Sequence, residues 1–246
     1  MLRRKPDLSV ESFQRYWRDN HGPLVASLAD ELNILRYVQV HAVEGNVAQR
    51  WAGARGTMEP HYDGMAQLWW ESEEAFAAGN PQAAQRLDED EARFVDLPGS
   101  PLWLAHEYPQ VNPNPEVVVA SVDSPILKVC YSMRPPREIA VEDAQRYWHT
   151  QHGPLIRRHA AELGILRYMQ VHRFESSLEL ELREAHGTVA ESYMGHAEVW
   201  LDESLLLNGP AGAYAADVAL RDERQFIDFS RSSLWLGKEH VIVDRL

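Results

Sequence analysis

Two rhythms of apolar residues alternate along this chain, one of helical period and one of period two, and the alternation as a whole occurs twice. After Ser9, placed to cap a helix with Glu11 in its first turn, Phe13, Tyr16, Trp17 and Leu24 recur at helical spacing. Pro23 lacks an N–H and disfavours helical geometry at Gly22, so the helix is expected to break just after His21. A new segment through Leu24, Leu28 and Leu32 then starts at Pro23. Residues 36–42 alternate and predict a strand, with Tyr37, Gln39 and His41 on one face and Val38 and Val40 on the other. Residues 45–60, rich in Gly and Ala, predict a loop, and residues 64–70 a second strand. Residues 72–96 read as helical, interrupted at Gly79-Asn80-Pro81, and residues 101–108 as a last strand.

The same series then returns. Tyr16-Trp17, His21-Gly22-Pro23-Leu24 and Gln39-Val40-His41 reappear as Tyr147-Trp148, His152-Gly153-Pro154-Leu155 and Gln170-Val171-His172, and 152 − 21 = 172 − 41 = 131. A period this long marks a duplicated domain rather than a solenoid. Each copy reads β–α–β–β–α–β, the ferredoxin-like order, an antiparallel sheet with helices on one face. Two such sheets facing each other predict an intramolecular α+β barrel. The expected division is residues 1–111, a Pro-containing linker at 112–125, and residues 126–246. The strand Ile126–Met133 has no counterpart in the first copy, because 132 − 131 = 1 places Met1 opposite Ser132. Either the native start lies upstream, or the apolar run at 116–120 folds back and fills the gap.

A net charge of −13 argues against nucleic acid and anionic membrane as partners. The single Cys130 allows no internal disulfide and suits a reducing, cytoplasmic setting, and no apolar run approaches the roughly 20 residues of a membrane span. Eleven histidines raise the question of metal, but none has close ligand spacing with a supporting acid; no phosphate loop or dinucleotide fingerprint occurs. Neither metal nor cofactor is therefore expected.

The Tyr-Trp-x3-His-Gly-Pro-Leu pattern, present twice, resembles the EthD family of the dimeric α+β barrel superfamily. The resemblance covers nearly the whole chain and implies that one chain forms the barrel usually built by two. That superfamily includes cofactor-free lactone isomerases, polyketide cyclases, dehydratases, cofactor-free monooxygenases and distant haem enzymes. In its lactone isomerases a histidine at the matching helix end moves protons beside a tyrosine of the next strand. The positions here are His21 with Tyr37, and His152 with Tyr168.

A histidine titrates near neutrality, so His21 and His152 are candidate acid/base groups. Tyr37, Gln39 and His41, with Tyr168, Gln170 and His172, are expected to line a cavity, together with Met65, Trp69 and Trp200. The copies differ where Met65 and Gln67 become His196 and Glu198, a pair on one strand face able to trade protons, which favours the second domain as the working site. The expected activity is cofactor-independent acid/base catalysis on a small aromatic, polyketide-like or lactone substrate: dehydration, cyclisation, decarboxylation or isomerisation. A cofactor-free monooxygenase and a non-catalytic ligand-binding protein are the alternatives. The chain is expected to act as a monomer with an internal pseudo-dimer or as a homodimer.

Overall fold

A computed structural model describes residues 1–202 and 209–246. Its strands are β1 (Arg36–Val43), β2 (Gly64–Trp69), β3 (Ala105–Val111), β4 (Ile126–Met133), β5 (Ile165–Arg173), β6 (Gly195–Asp202) and β7 (Ser233–Asp244). They form one curled antiparallel sheet in the order β2-β1-β7-β4-β6-β5-β3. The first half contributes three strands and the second half four, and the two merge in it through their last strands. β3, from the first half, pairs with β5 of the second. β7, from the second half, pairs with β4 through Ser233–Gly237 and with β1 through Leu236–Asp244. Both sheet edges, β2 and β3, therefore belong to the first half, and Pro109 is tolerated on β3 because an edge strand leaves main-chain donors unused.

Residues 116–120 do not pair with β2. Ser121 bridges to Glu239 of β7, the Glu239 N–H donates to the Ala120 carbonyl at 2.7 Å, and Val118 and Ala120 pack on Met169, Val171 and Trp200. Among the described residues, Leu2 is the bridge partner recorded on the outer side of β2, at Gly64.

Helices cover the convex face. Helix α1 (Val10–Tyr16), capped by Ser9, does not break at His21. It passes through one π turn, Trp17–His21, into α2 (Gly22–Leu28). The Gly22 N–H donates to the Trp17 carbonyl five residues back, and Gly22 keeps helical angles, φ −54° and ψ −53°. Without a Cβ, Gly22 escapes much of the clash that proline imposes on its predecessor, and the widened turn absorbs the missing Pro23 donor. The second half repeats this in α6 (Val141–Tyr147), the π turn Trp148–His152 and α7 (Gly153–Arg158). Residues 45–60 also differ from expectation. Asn46–Arg55 is a helix that ends at Gly56, which carries a positive φ of 86°. Its Val47 and Trp51 pack into the second half's core, so tertiary contact outweighs its modest propensity. Numbering in chain order, this helix is α3, followed by α4 (Glu73–Ala77), α5 (Pro81–Glu91), α8 (Ser177–Ala185) and α9 (Pro210–Glu223). No helix among the described residues is long and apolar enough to cross a membrane.

Candidate active site

Strand register decides which side chains meet the helices. Val38 pairs with Gln67 and Val40 with Met65, and Val38, Val40 and Met65 join Cys130 and Trp235 in one cluster inside the curled sheet. Tyr37, Gln39 and His41 consequently face the opposite way, onto the helices, which corrects the expectation that they line the cavity. The Trp17 indole donates to the Tyr37 hydroxyl at 2.8 Å, and Gln39 donates to the Trp17 carbonyl at 2.9 Å. His41 stacks on Trp17 with ring centroids 4.6 Å apart and bonds Gln39 at 2.9 Å. Trp148, Tyr168, Gln170 and His172 repeat every contact, with the indole–hydroxyl bond again 2.8 Å. The two glutamines thus supply a second donor to a carbonyl of each π turn, where a buried acceptor otherwise goes short. Gly22 is needed for this approach, since a Cβ there would lie 3.0 Å from Gln39 Nε2. Burial pushes His41 down to about 3 and His172 to about 4, so both rings are neutral, and raises the Tyr37 and Tyr168 hydroxyls above their ordinary range.

His21 and His152 also sit in the helix layer. His21 Nδ1 meets Asp90 Oδ2 at 2.9 Å while Tyr16 donates to the same carboxylate at 2.7 Å. His152 Nδ1 meets Asp222 at 2.7 Å, and Tyr147 donates to it at 2.8 Å. Each Tyr–Asp–His set fastens the first helical segment of a half to its second.

The concave side holds a different set. His196 and Glu198 pair in register with Val171 and Met169, so the sheet itself separates them from Tyr168, Gln170 and His172. On neighbouring β4, Lys128, Cys130 and Ser132 share that inner face, opposite Trp200, Glu198 and His196. Lys128 is 1% exposed, and its ammonium has a partner for each N–H: Gln67 at 2.7 Å, Glu198 at 3.0 Å and Glu239 at 3.0 Å. The Trp200 indole and the Ala120 N–H complete Glu239, both at 2.8 Å. Gln67 and Glu198 occupy equivalent positions of the two copies, 198 − 67 = 131, and touch at 2.5 Å, as do Tyr62 and Tyr193 at 2.9 Å. The pseudo-twofold axis of the duplication therefore runs through this interior.

The electrostatics fix a tautomer. Burial alone would raise Glu198, but Lys128 and the hydrogen bond from His196 overcome it and hold the carboxyl at about 2. An ionised carboxylate only accepts, so His196 Nε2 is the donor of the 3.0 Å contact, and in the neutral ring the lone pair then lies on Nδ1. Nδ1 is buried without a partner, and so are Ser132 Oγ and Trp235 Nε1. The register carries these three atoms on adjacent strands β6, β4 and β7, Ser132 facing His196 and Cys130 facing Trp235. Buried polar atoms without partners are rare in native proteins, and these three share one face of adjacent strands. Trp103 closes the set, its ring 5.6 Å from His196.

The EthD domain family matches twice, over residues 5–98 and 136–230. The chain belongs to the EthD family. It is also similar to a curated protein described as Dehydratase ustZ from Ustilaginoidea virens, 28% identical over 105 residues, which is 41% of this chain and 75% of that protein. In this EthD chain the residues of this interior that sequence reasoning missed are Lys128, Ser132, Trp235 and Glu239. A lysine at the centre of an apolar strand, two and four residues before Cys130 and Ser132, was the readable signal: three small or polar groups share one face there. Cys130 is fully buried and its thiol is pushed well up by burial, so it contributes bulk rather than a nucleophile. Among the described residues no cluster of His, Cys, Asp and Glu is grouped to hold a metal ion.

Proposed function

We propose that this chain is a cofactor-independent lyase of the dehydratase type, acting on a small aromatic or polyketide-like molecule held inside the curled sheet. The observation that carries the reading is the free Nδ1 of His196, fixed by an ionised Glu198 and set beside two unpartnered donors. In this role His196 takes a proton from a carbon next to a carbonyl. Trp235 Nε1–H or Ser132 Oγ–H steadies the oxygen as negative charge moves onto it, and the indoles of Trp69, Trp103 and Trp200 supply flat apolar walls. Lys128 holds Glu198 ionised, and Glu198 holds the histidine tautomer. His21, His152 and Tyr168 act in this reading by fixing the helices against the sheet. The dehydratase description of the relative supports the reaction type, and the distribution of Trp and His inside the sheet supports the substrate class.

The test compares wild type, His196→Ala and His152→Ala on a panel of hydroxylated aromatic ketones and lactones, following product by chromatography and oxygen by electrode. A general base of this kind contributes about 10²–10⁴ in rate. The expected result is loss of turnover on that scale in His196→Ala with binding kept. Equal turnover in His196→Ala and wild type would overturn the assignment, and oxygen uptake matched to product would replace the lyase with a monooxygenase.

A further inference from the structure

The strand β3, which pairs across the halves with β5, brings one more carboxyl to this interior. Glu107 pairs in register with Val171, and Val171 pairs with His196, so Glu107, Val171 and His196 form one row on the concave face. Glu107 is the counterpart of Glu239, 107 + 132 = 239, and the two lie in different settings. Glu239 is buried and saturated by Lys128, Trp200 and Ala120. Glu107 lies on an edge strand and is solvent-exposed, and the Lys128 ammonium spends its three N–H groups on Gln67, Glu198 and Glu239. A carboxyl that Lys128 does not hydrogen-bond, in one row of the concave face with an unpartnered imidazole nitrogen, can supply the second half of an acid/base pair.

We propose that Glu107 is the general acid that protonates the leaving group, opposite His196 as base, on a substrate of the 3-hydroxy carbonyl class; this rests on the lyase reading above. The C–H bond next to the carbonyl breaks and its proton goes to His196 Nδ1, while the electron pair forms the new C=C bond. The C–O bond at the next carbon breaks with its pair on oxygen, and that hydroxyl takes the Glu107 proton and leaves as water. The products are the unsaturated carbonyl compound, an imidazolium and a Glu107 carboxylate, and proton transfer between the last two resets the site. Desolvation of its carboxyl and the nearby Glu198 charge raise Glu107 above an ordinary glutamate, against a hydrogen bond from Trp69, the charge of Lys128 and that of His196 once it holds a proton. The direction of that shift favours the protonated carboxyl that a general acid needs. No other exposed carboxyl is placed in register with His196 in this way among the described residues.

The test uses 4-hydroxy-4-phenylbutan-2-one as probe, in D2O, with wild type, Glu107→Gln and His196→Ala. Two rates are read: deuterium uptake next to the carbonyl, which needs only the base, and formation of the conjugated enone, which needs both groups. Glu107→Gln is expected to keep deuterium uptake within about threefold and lose enone formation about 100-fold or more, whereas His196→Ala loses both. Enone formation by Glu107→Gln at the wild-type rate overturns the proposal. A wild type that neither exchanges deuterium nor forms enone removes the lyase reading and the role of Glu107 with it, which separates the two failures. Titration of Glu107 by NMR of the 13C-labelled carboxyl gives a readout without substrate: a midpoint above about 4.3 that falls in Glu198→Gln supports the assignment, and one at or below that value overturns it.

Discussion

Replacing Lys128 by methionine tests the electrostatic core of the site. The ammonium is 1% exposed and is the shared cation of Glu198 and Glu239, each 3.0 Å away. Methionine keeps most of the stem volume, so the change is chiefly one of charge. Removing one partner of a buried ion pair costs roughly 3–5 kcal/mol, because the other partner stays buried without compensation. Two carboxylates are orphaned here, which puts the cost at the upper end. For a chain of this size each kcal/mol moves Tm by about 2–4 °C, so a fall of about 10 °C or more is expected at pH 8. The sign of the pH dependence follows from Glu198. With Lys128 present the carboxyl is held at about 2, and that stabilisation is complete above an ordinary glutamate's range. With Lys128 gone, burial dominates and lifts Glu198 above its unfolded value, so the penalty is largest at high pH and shrinks as the carboxyl takes a proton. Calorimetry of wild type and Lys128→Met from pH 8 to pH 5 should therefore show the two curves converging. Adding Glu198→Gln and Glu239→Gln should recover more than half of the loss. A Tm within 2 °C of wild type at pH 8, or a deficit that does not change with pH, refutes this account of the interior.

Two further outcomes follow from the helix-facing motif and the strand contacts. His41 and His172 are held neutral, near 3 and 4, whereas an unfolded histidine titrates near 6.5, so the unfolded state binds protons first as pH falls. Stability is expected to be full above about pH 6.5 and to decline toward pH 4, by up to about 3 kcal/mol for His172 at about 1.4 kcal/mol per pH unit; His172→Gln should flatten the urea-unfolding profile over that window, and a wild type equally stable at pH 7 and pH 5 contradicts it. Gly195→Ala should cost more than about 3 kcal/mol, because the residue carries φ +149° and a Cβ would lie 2.1 Å from the Val171 carbonyl oxygen; Gly209→Ala, with open space around it, is the control and should change Tm by less than about 2 °C.

Much of the architecture is legible in the alternation of residues. The strand Ile126–Met133 has the expected bounds, and the duplication predicts that each half repeats the other's contacts, as the Trp–Tyr–Gln–His sets do. A period of two, however, separates two faces without saying which is inside. Tyr37, Gln39 and His41 look like cavity lining because they carry polar atoms, yet those atoms are answered by a π turn, and nothing in a one-dimensional pattern announces a carbonyl in need of a second donor. The interior cluster was hidden for a different reason. Lys128, Glu198 and Glu239 are neighbours because β4 lies between β6 and β7, the second half's own sheet order, which brings together segments far apart in sequence. The His196–Glu198 pair was visible because it lies within one strand; its cation and its Gln67 partner come from elsewhere in the chain.

The pairing of β3 and β7 across the two halves also sets a timetable for folding. During synthesis the first half leaves the ribosome with β1 and β2 paired but with no place for β3, whose partner β5 is translated some sixty residues later. The β1–β7 ladder joins ends of the chain about 200 residues apart and waits for the last strand of all. Contacts of such long range are slow to form, since loop-closure entropy is lost before they give anything back. Until then the nascent chain carries two unpaired strand edges, the feature that invites pairing with the wrong neighbour. Joining two equivalent units in one polypeptide answers this hazard, because each edge then finds its proper partner at a concentration fixed by the linker rather than by the number of copies in solution.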